Sequence, residues 1–157
     1  MRNNITDIDI EFAKKALNMA KKSLKEGAFP AGAVLVNDND IISQNTSAKW
    51  PQIVFHAESK TIDEAISKLD TQLSDCTLYC SMQPYLMCMS RAYWAGIRKI
   101  FYVINKDSVS YKTCYESDLD HKKLLERFNE NIELIQIPEL EIEALKLVKE
   151  WEQINKL

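Results

Sequence analysis

A chain of 157 residues, 46% apolar and 27% charged, is long enough to bury one ordinary core and has the balance of a soluble globular domain. No apolar run approaches the roughly 20 residues that a helix needs to cross a bilayer, so no membrane partner is expected. The formal net charge is −3, with acids and bases interleaved, so the basic stripe of a protein that tracks a phosphate backbone is missing and nucleic acid is disfavoured as a partner.

One domain over residues 1–157 is the expectation. The opening MRNNITDIDI has neither an apolar signal core nor a small-residue cleavage site, which makes the cytoplasm the default compartment. Cys76, Cys80, Cys88 and Cys114 are irregularly spaced and read as free thiols, some simply buried.

Thr6 and Asp7 can cap a first helix, on which Phe12, Ala13, Ala16, Leu17, Ala20 and Leu24 share one face until Gly27 ends it. PAGAVLVN, Pro30 to Asn37, predicts a buried strand. Asn37 to Asp40 is a turn, and Ile41 to Ser43 starts a second strand antiparallel to the first. Asn45 to Val54 reads as a loop that Pro51 keeps out of helix. His56 opens a helix with Ile62, Ala65, Ile66 and Leu69 inward. Cys76 to Cys80 is a third strand, and a helix follows from about Pro84 to Ala95, with proline at its start and Gly96 past its end. Lys99 to Ile104 is a fourth strand. Ser108 to Asp120 reads as irregular, Leu119 to Phe128 as helix, Ile132 to Ile137 as a fifth strand and Glu139 to Ile154 as a last helix. On that helix Leu140, Ala144, Leu145, Val148 and Trp151 face inward. This order implies an α/β fold, a three-layer α/β/α sandwich with crossover helices on both faces of a mixed five-stranded sheet.

Two helix starts carry the chemistry. His56 and Glu58 lie two apart at one of them, where unpaired amides and the positive dipole end favour water, an anion or a polarised substrate. Cys88 lies in the first turn of the other, a position that lowers a thiol's pKa and improves it as a metal ligand. If the two starts face each other, His56 and Cys88 can share a metal while Glu58 handles protons. Taken singly, such a histidine is more often a cap and such a cysteine more often packing.

The order of HAE, TLYCSMQP and YLMCMSRAYWAGIRKIFY behind PAGAVLVN resembles the zinc-dependent cytidine deaminase superfamily, with its H-x-E and P-C-x-x-C signature. It is most similar to the bacterial guanine deaminase and tRNA adenosine deaminase branch, from about Phe12 to Val103. The resemblance implies the fold above and hydrolytic removal of an exocyclic amino group from a base or nucleoside. In the family, zinc held by one histidine and two cysteines activates a water, and the glutamate carries its proton to the ring nitrogen and to departing ammonia. Carried over, His56 is the imidazole ligand, Glu58 the proton shuttle and Cys88 the second cysteine. Ala57 lends its amide to the substrate, and Asn45 matches the asparagine that bonds the base or is simply a turn residue. A homodimer is also implied, with Tyr93-Trp94-Ala95 and the last helix as surface unless these pack inside the monomer.

The departure from the pattern is local. Where the family has Glu-Pro-Cys-x-x-Cys, this chain has Gln83-Pro84-Tyr85-Leu86-Met87-Cys88, so Tyr85 stands in the first cysteine's place. A zinc centre keeps at least three protein ligands, and a phenol, with a reference pKa near 10 and a longer reach, is a poor substitute. Cys80 lies back in the strand, and the Met82 thioether is a poor zinc ligand. Three readings remain: a zinc-dependent deaminase of a free base or nucleoside, a metal-free pseudo-deaminase that binds bases or a partner subunit, and a tRNA adenosine deaminase.

Overall fold

The computed structural model describes residues 5–110, 112–116 and 118–157. The first four residues of MRNNITDIDI, and Tyr111 and Ser117 within the segment Ser108–Asp120, lie outside the described residues.

Helix α1, Asp7–Lys25, opens on a capping box: Thr6 Oγ1 accepts from the amide of Asp9, whose carboxylate accepts in turn from the amide of Thr6. Its face of Phe12, Ala13, Ala16, Leu17 and Ala20 is buried as the spacing predicts, and Gly27, at φ 82°, takes the left-handed turn past the end. Strands β1, Gly32–Asn37, and β2, Asp40–Thr46, form a hairpin whose corner residues Asp38 and Asn39 both have positive φ. Strand β2 therefore runs three residues beyond Ser43 and takes in Asn45, which the sequence reading left in a loop. Helix α2, Ala57–Leu69, follows with His56 as its N-cap. Strand β3, Cys76–Met82, leads to helix α3, Leu86–Trp94, and strand β4, Lys99–Ile104, follows. A short helix α4, His121–Leu125, strand β5, Glu133–Gln136, and helix α5, Glu141–Ile154, complete the chain, with single 3-10 turns at Lys106–Ser108 and Pro138–Leu140.

The sheet order is β2-β1-β3-β4-β5; β1 is antiparallel to both neighbours, while β3, β4 and β5 run parallel. Alternation along the strands divides the core. Val34, Val36, Tyr79, Phe101 and Val103 meet α1 and α5, while Ala33, Leu35, Leu78, Cys80 and Ile100 meet α2 and α3. The three-layer sandwich is thus realised. Gly32 is where α1 lies hardest on β1, since a Cβ there would run into the backbone of Ala16 and Ala20. All four cysteines are free and buried. Among the described residues, no helix is long and apolar enough to cross a membrane.

Two expectations are corrected. Pro84 lies outside α3, whose N-cap is Tyr85, because the chain leaving β3 stays extended through Tyr85 (φ −70°, ψ 164°). Ile66 and Leu69 are 40% and 37% exposed, because the buried face of α2 stops at Ala65, one turn before the helix ends. Of the two places open to Trp94, surface or interior, it takes the surface at 81% exposed, whereas Tyr93 packs on Phe128 at 4.5 Å between ring centroids with the Arg98 guanidinium over its ring.

Candidate functional site

The carboxyl end of β3 and the start of the antiparallel β1 lie side by side, Cys80 opposite Ala33, and the chain enters α3 from this edge. Helix α2 packs over β1 and brings its own start to the same place. The two helix starts face each other: His56 Nδ1 lies 3.3 Å from Cys88 Sγ, and the Cys88 thiol lies 3.8 Å from Glu58 Oε2. Ser59 Oγ is 3.5 Å from the same sulfur. Glu58 is buried on the inner side of α2, and that burial pushes its carboxyl above the ordinary range, with the neighbouring His56 opposing. Burial also raises the Cys88 thiol, and the Glu58 charge beside it adds to the effect.

Ala57, the first residue of α2, is fully buried, and its carbonyl accepts from Thr61 Oγ1. Asn45 is not brought into this group. It pairs with Ala33 in β2, and its side-chain amide donates to Glu64 Oε2 at 2.9 Å.

The Tyr85 ring packs against His56 at 5.8 Å between centroids, and its hydroxyl lies near Cys114. Burial first, then the neighbouring Cys114, drives the phenol well above its usual value. Cys80 and Met82 stay in β3, packed in opposite layers.

A hollow of about 270 Å³ opens beside His56 and Glu58, walled by Phe29, Trp50, Tyr85, Tyr115 and Trp151. Phe29 and Trp151 meet edge to face at 5.1 Å and form one corner. Tyr85 apart, neither the sequence spacing nor the motifs pointed to these walls, which come from the ends of distant segments. A second cavity, about 1130 Å³, shares Gln83 with the first, and none of its acidic residues joins a metal-type group among the described residues.

Glu116 and His121 were also missed, because both come from the segment read as irregular or weakly helical. Glu116 Oε2 accepts from the Leu86 amide at 2.9 Å and lies 3.0 Å from His121 Nε2. His121 Nδ1 is 3.2 Å from Gln83 Nε2, and Gln83 Oε1 accepts from the Lys106 amide. A chain of bonds therefore runs from the end of β3 through a buried histidine to the start of α3. That His121 is one of only two histidines was the available signal.

The donor set suits zinc. Among the described residues, His56, Glu58 and Cys88 offer a nitrogen, a carboxylate oxygen and a sulfur all within 4.8 Å of one another, and zinc accepts each of these atom types.

Residues 6–104, a stretch that includes both helix starts, match the cytidine and deoxycytidylate deaminase zinc-binding region. The chain belongs to this deaminase family. Guanine deaminase of Bacillus subtilis is 38% identical over 95 residues, 58% of this chain and 61% of that one. The tRNA-specific adenosine deaminase of Streptococcus pyogenes serotype M18 is 30% identical over 124 residues, 74% of this chain and 78% of that one. The match spans less than two thirds of the length of the Schizosaccharomyces pombe, Aquifex aeolicus and Bacillus relatives. Among solved structures, a mutant protein in complex with 8-azaguanine superposes with a TM-score of 0.77 at 23% identity, covering 91% of this chain and 83% of that one. This last likeness shows the fold.

Proposed function

We propose that the chain is a nucleobase-binding deaminase homologue that takes a free purine or pyrimidine base, or its nucleoside, into the hollow beside His56 and Glu58. Tyr85 has cost it the family's hydrolytic deamination. The observation that carries this reading is the aromatic wall of the hollow. Five flat side chains surround about 270 Å³, a little below the roughly 300–1,000 Å³ of small-molecule clefts and suited to one ring system. Stacking on such rings is worth about 1–3 kcal/mol per base and asks little of the base's identity. The guanine deaminase relative and the structure holding 8-azaguanine support a base as the ligand class.

In a deaminase centre, zinc supplies Lewis acidity that brings the ionisation of a water near neutral pH. Here His56 Nδ1 and Cys88 Sγ would hold it. Tyr85 stands where the family has its other sulfur, and its phenol, raised well above its usual value by burial, is a poor replacement. The amide of Ala57, one of the unpaired donors at the start of α2, steadies a polar edge of the base. With the missing cysteine restored, as in a Tyr85→Cys variant, Glu58 is the proton carrier. Asn45 has no part in this reading, its amide being committed to Glu64.

Retention of His56, Glu58 and Cys88 within 4.8 Å favours a second reading, an active zinc-dependent deaminase of a free base. The Streptococcus relative favours a third, deamination of tRNA adenosine. Titration with guanine, 8-azaguanine, cytosine and adenosine, followed by quenching of tryptophan fluorescence, tests the first. Saturable quenching by at least one base is expected, and none from any of them sinks base binding. Ammonia release should be at least about 100-fold slower than in a Tyr85→Cys variant, a barrier difference of about 2.7 kcal/mol. Equal rates favour the second reading, and salt-sensitive retention of tRNA in a gel favours the third.

A further inference from the structure

We propose that Glu58 is itself a metal ligand in this chain. With His56 Nδ1 and Cys88 Sγ it makes a three-donor site for zinc or a similar divalent ion, and it is thereby withdrawn from proton transfer. The distances lead to this assignment. Bonds of about 2.3 Å to sulfur and about 2.0–2.2 Å to nitrogen and oxygen put tetrahedral neighbours about 3.4–3.6 Å apart. The separations here, 3.3 Å from sulfur to nitrogen and 3.8 Å from sulfur to oxygen, straddle that edge length, and all three donors lie within 4.8 Å. The two edges to sulfur are near the right length, and the imidazole and carboxylate, within 4.8 Å of each other, close the third by side-chain rotation.

Burial points the same way. Glu58 is 5% exposed, and among the described residues no lysine or arginine pairs with it. What faces its carboxylate is a thiol and an imidazole, and a buried carboxylate is stable as an anion only against a counter-charge. A divalent cation between the three groups supplies that charge. The alternatives lie elsewhere: the Tyr85 hydroxyl near Cys114, and Cys80 and Met82 within β3.

The consequence differs from simple metal loss. A carboxylate whose lone pairs are held by a metal no longer collects a proton from water or passes one to a ring nitrogen. The chain then keeps an ion and lacks a shuttle. This inference rests on the site proposed above but not on base binding, since the metal and the base are read by separate titrations. Failure of one leaves the other standing.

Competition with a chromophoric chelator measures the affinity of the whole chain for zinc and for cobalt. One ion per chain is expected in the wild type, and Glu58→Gln should weaken it more than about 100-fold, beyond the 10–100-fold that loss of an outer-shell partner costs. In a Tyr85→Cys background, where a sulfur is restored, the same Gln substitution should change affinity less than about threefold. Unchanged affinity in Glu58→Gln alone overturns the assignment, as does a wild type that takes up no ion. Should the Gln variant fail to fold, carbon-13 NMR of glutamate-labelled wild type decides. One carboxyl signal should shift at one equivalent of zinc and cease to titrate in the acid range, and no shifted signal means that Glu58 stays free.

Discussion

Asp9 illustrates at the scale of one residue how much work a short side chain does in this fold. Its Oδ2 accepts from the amide and hydroxyl of Thr6, and its Oδ1 accepts from the Tyr79 hydroxyl at 2.7 Å, tying the start of α1 to the middle of β3. Burial alone would raise its pKa, but the bonds from Thr6 and Tyr79, with Lys99 nearby, outweigh burial and leave it below the ordinary 3.8. A carboxyl depressed on folding adds stability that is fully present above 3.8 and is lost as pH falls through the lower folded value. Asp9→Asn should therefore lower the urea midpoint at about pH 7, and the gap to wild type should close by about pH 2. The sequence showed a cap at Thr6 and Asp7 but not this partner, because Tyr79 is seventy positions away and only the register of the sheet brings it near. Tyr85 is the opposite case. Its departure from the motif was plain in the sequence, while the direction of its hydroxyl, toward Cys114, depended on a segment with no readable pattern.

Among the elements, α3 is the one held from outside. Its N-cap Tyr85 gives no side-chain bond, and the free amide of Leu86 is taken by Glu116 from a loop thirty residues on. Glu116 in turn is steadied by buried His121. Removing it with Glu116→Ala strips a cap and leaves a buried histidine nitrogen unpaired, which should destabilise the chain by about 1–3 kcal/mol in urea denaturation. Strands β1, β3 and β4 were legible because branched and aromatic apolar runs between turn residues leave few alternatives. The start of α3 was misread because a proline before a helix usually marks its first turn, whereas here the chain needs two more extended residues to clear the sheet. The loop that supplies Glu116 offered no period to read.

At the scale of the whole molecule, the family frame and the facing helix starts were legible because they rest on order and spacing within one stretch, whereas the walls of the hollow are assembled from the α1–β1 connection, the β2–α2 connection, the β3–α3 turn, the late loop and α5. The homodimer implied by the resemblance remains a proposal, supported by Trp94, which stands 81% exposed on α3. Light scattering at micromolar concentration should return twice the 18.1 kDa chain mass, and Trp94→Lys should return the single mass. The split of the core between two faces of the sheet has one more effect. Neither apolar layer draws its cohesion from the His56–Glu58–Cys88 corner, so the scaffold endures whatever becomes of its reactivity. A lineage can therefore fall chemically silent one side chain at a time and still leave behind a sound, ligand-shaped receptacle.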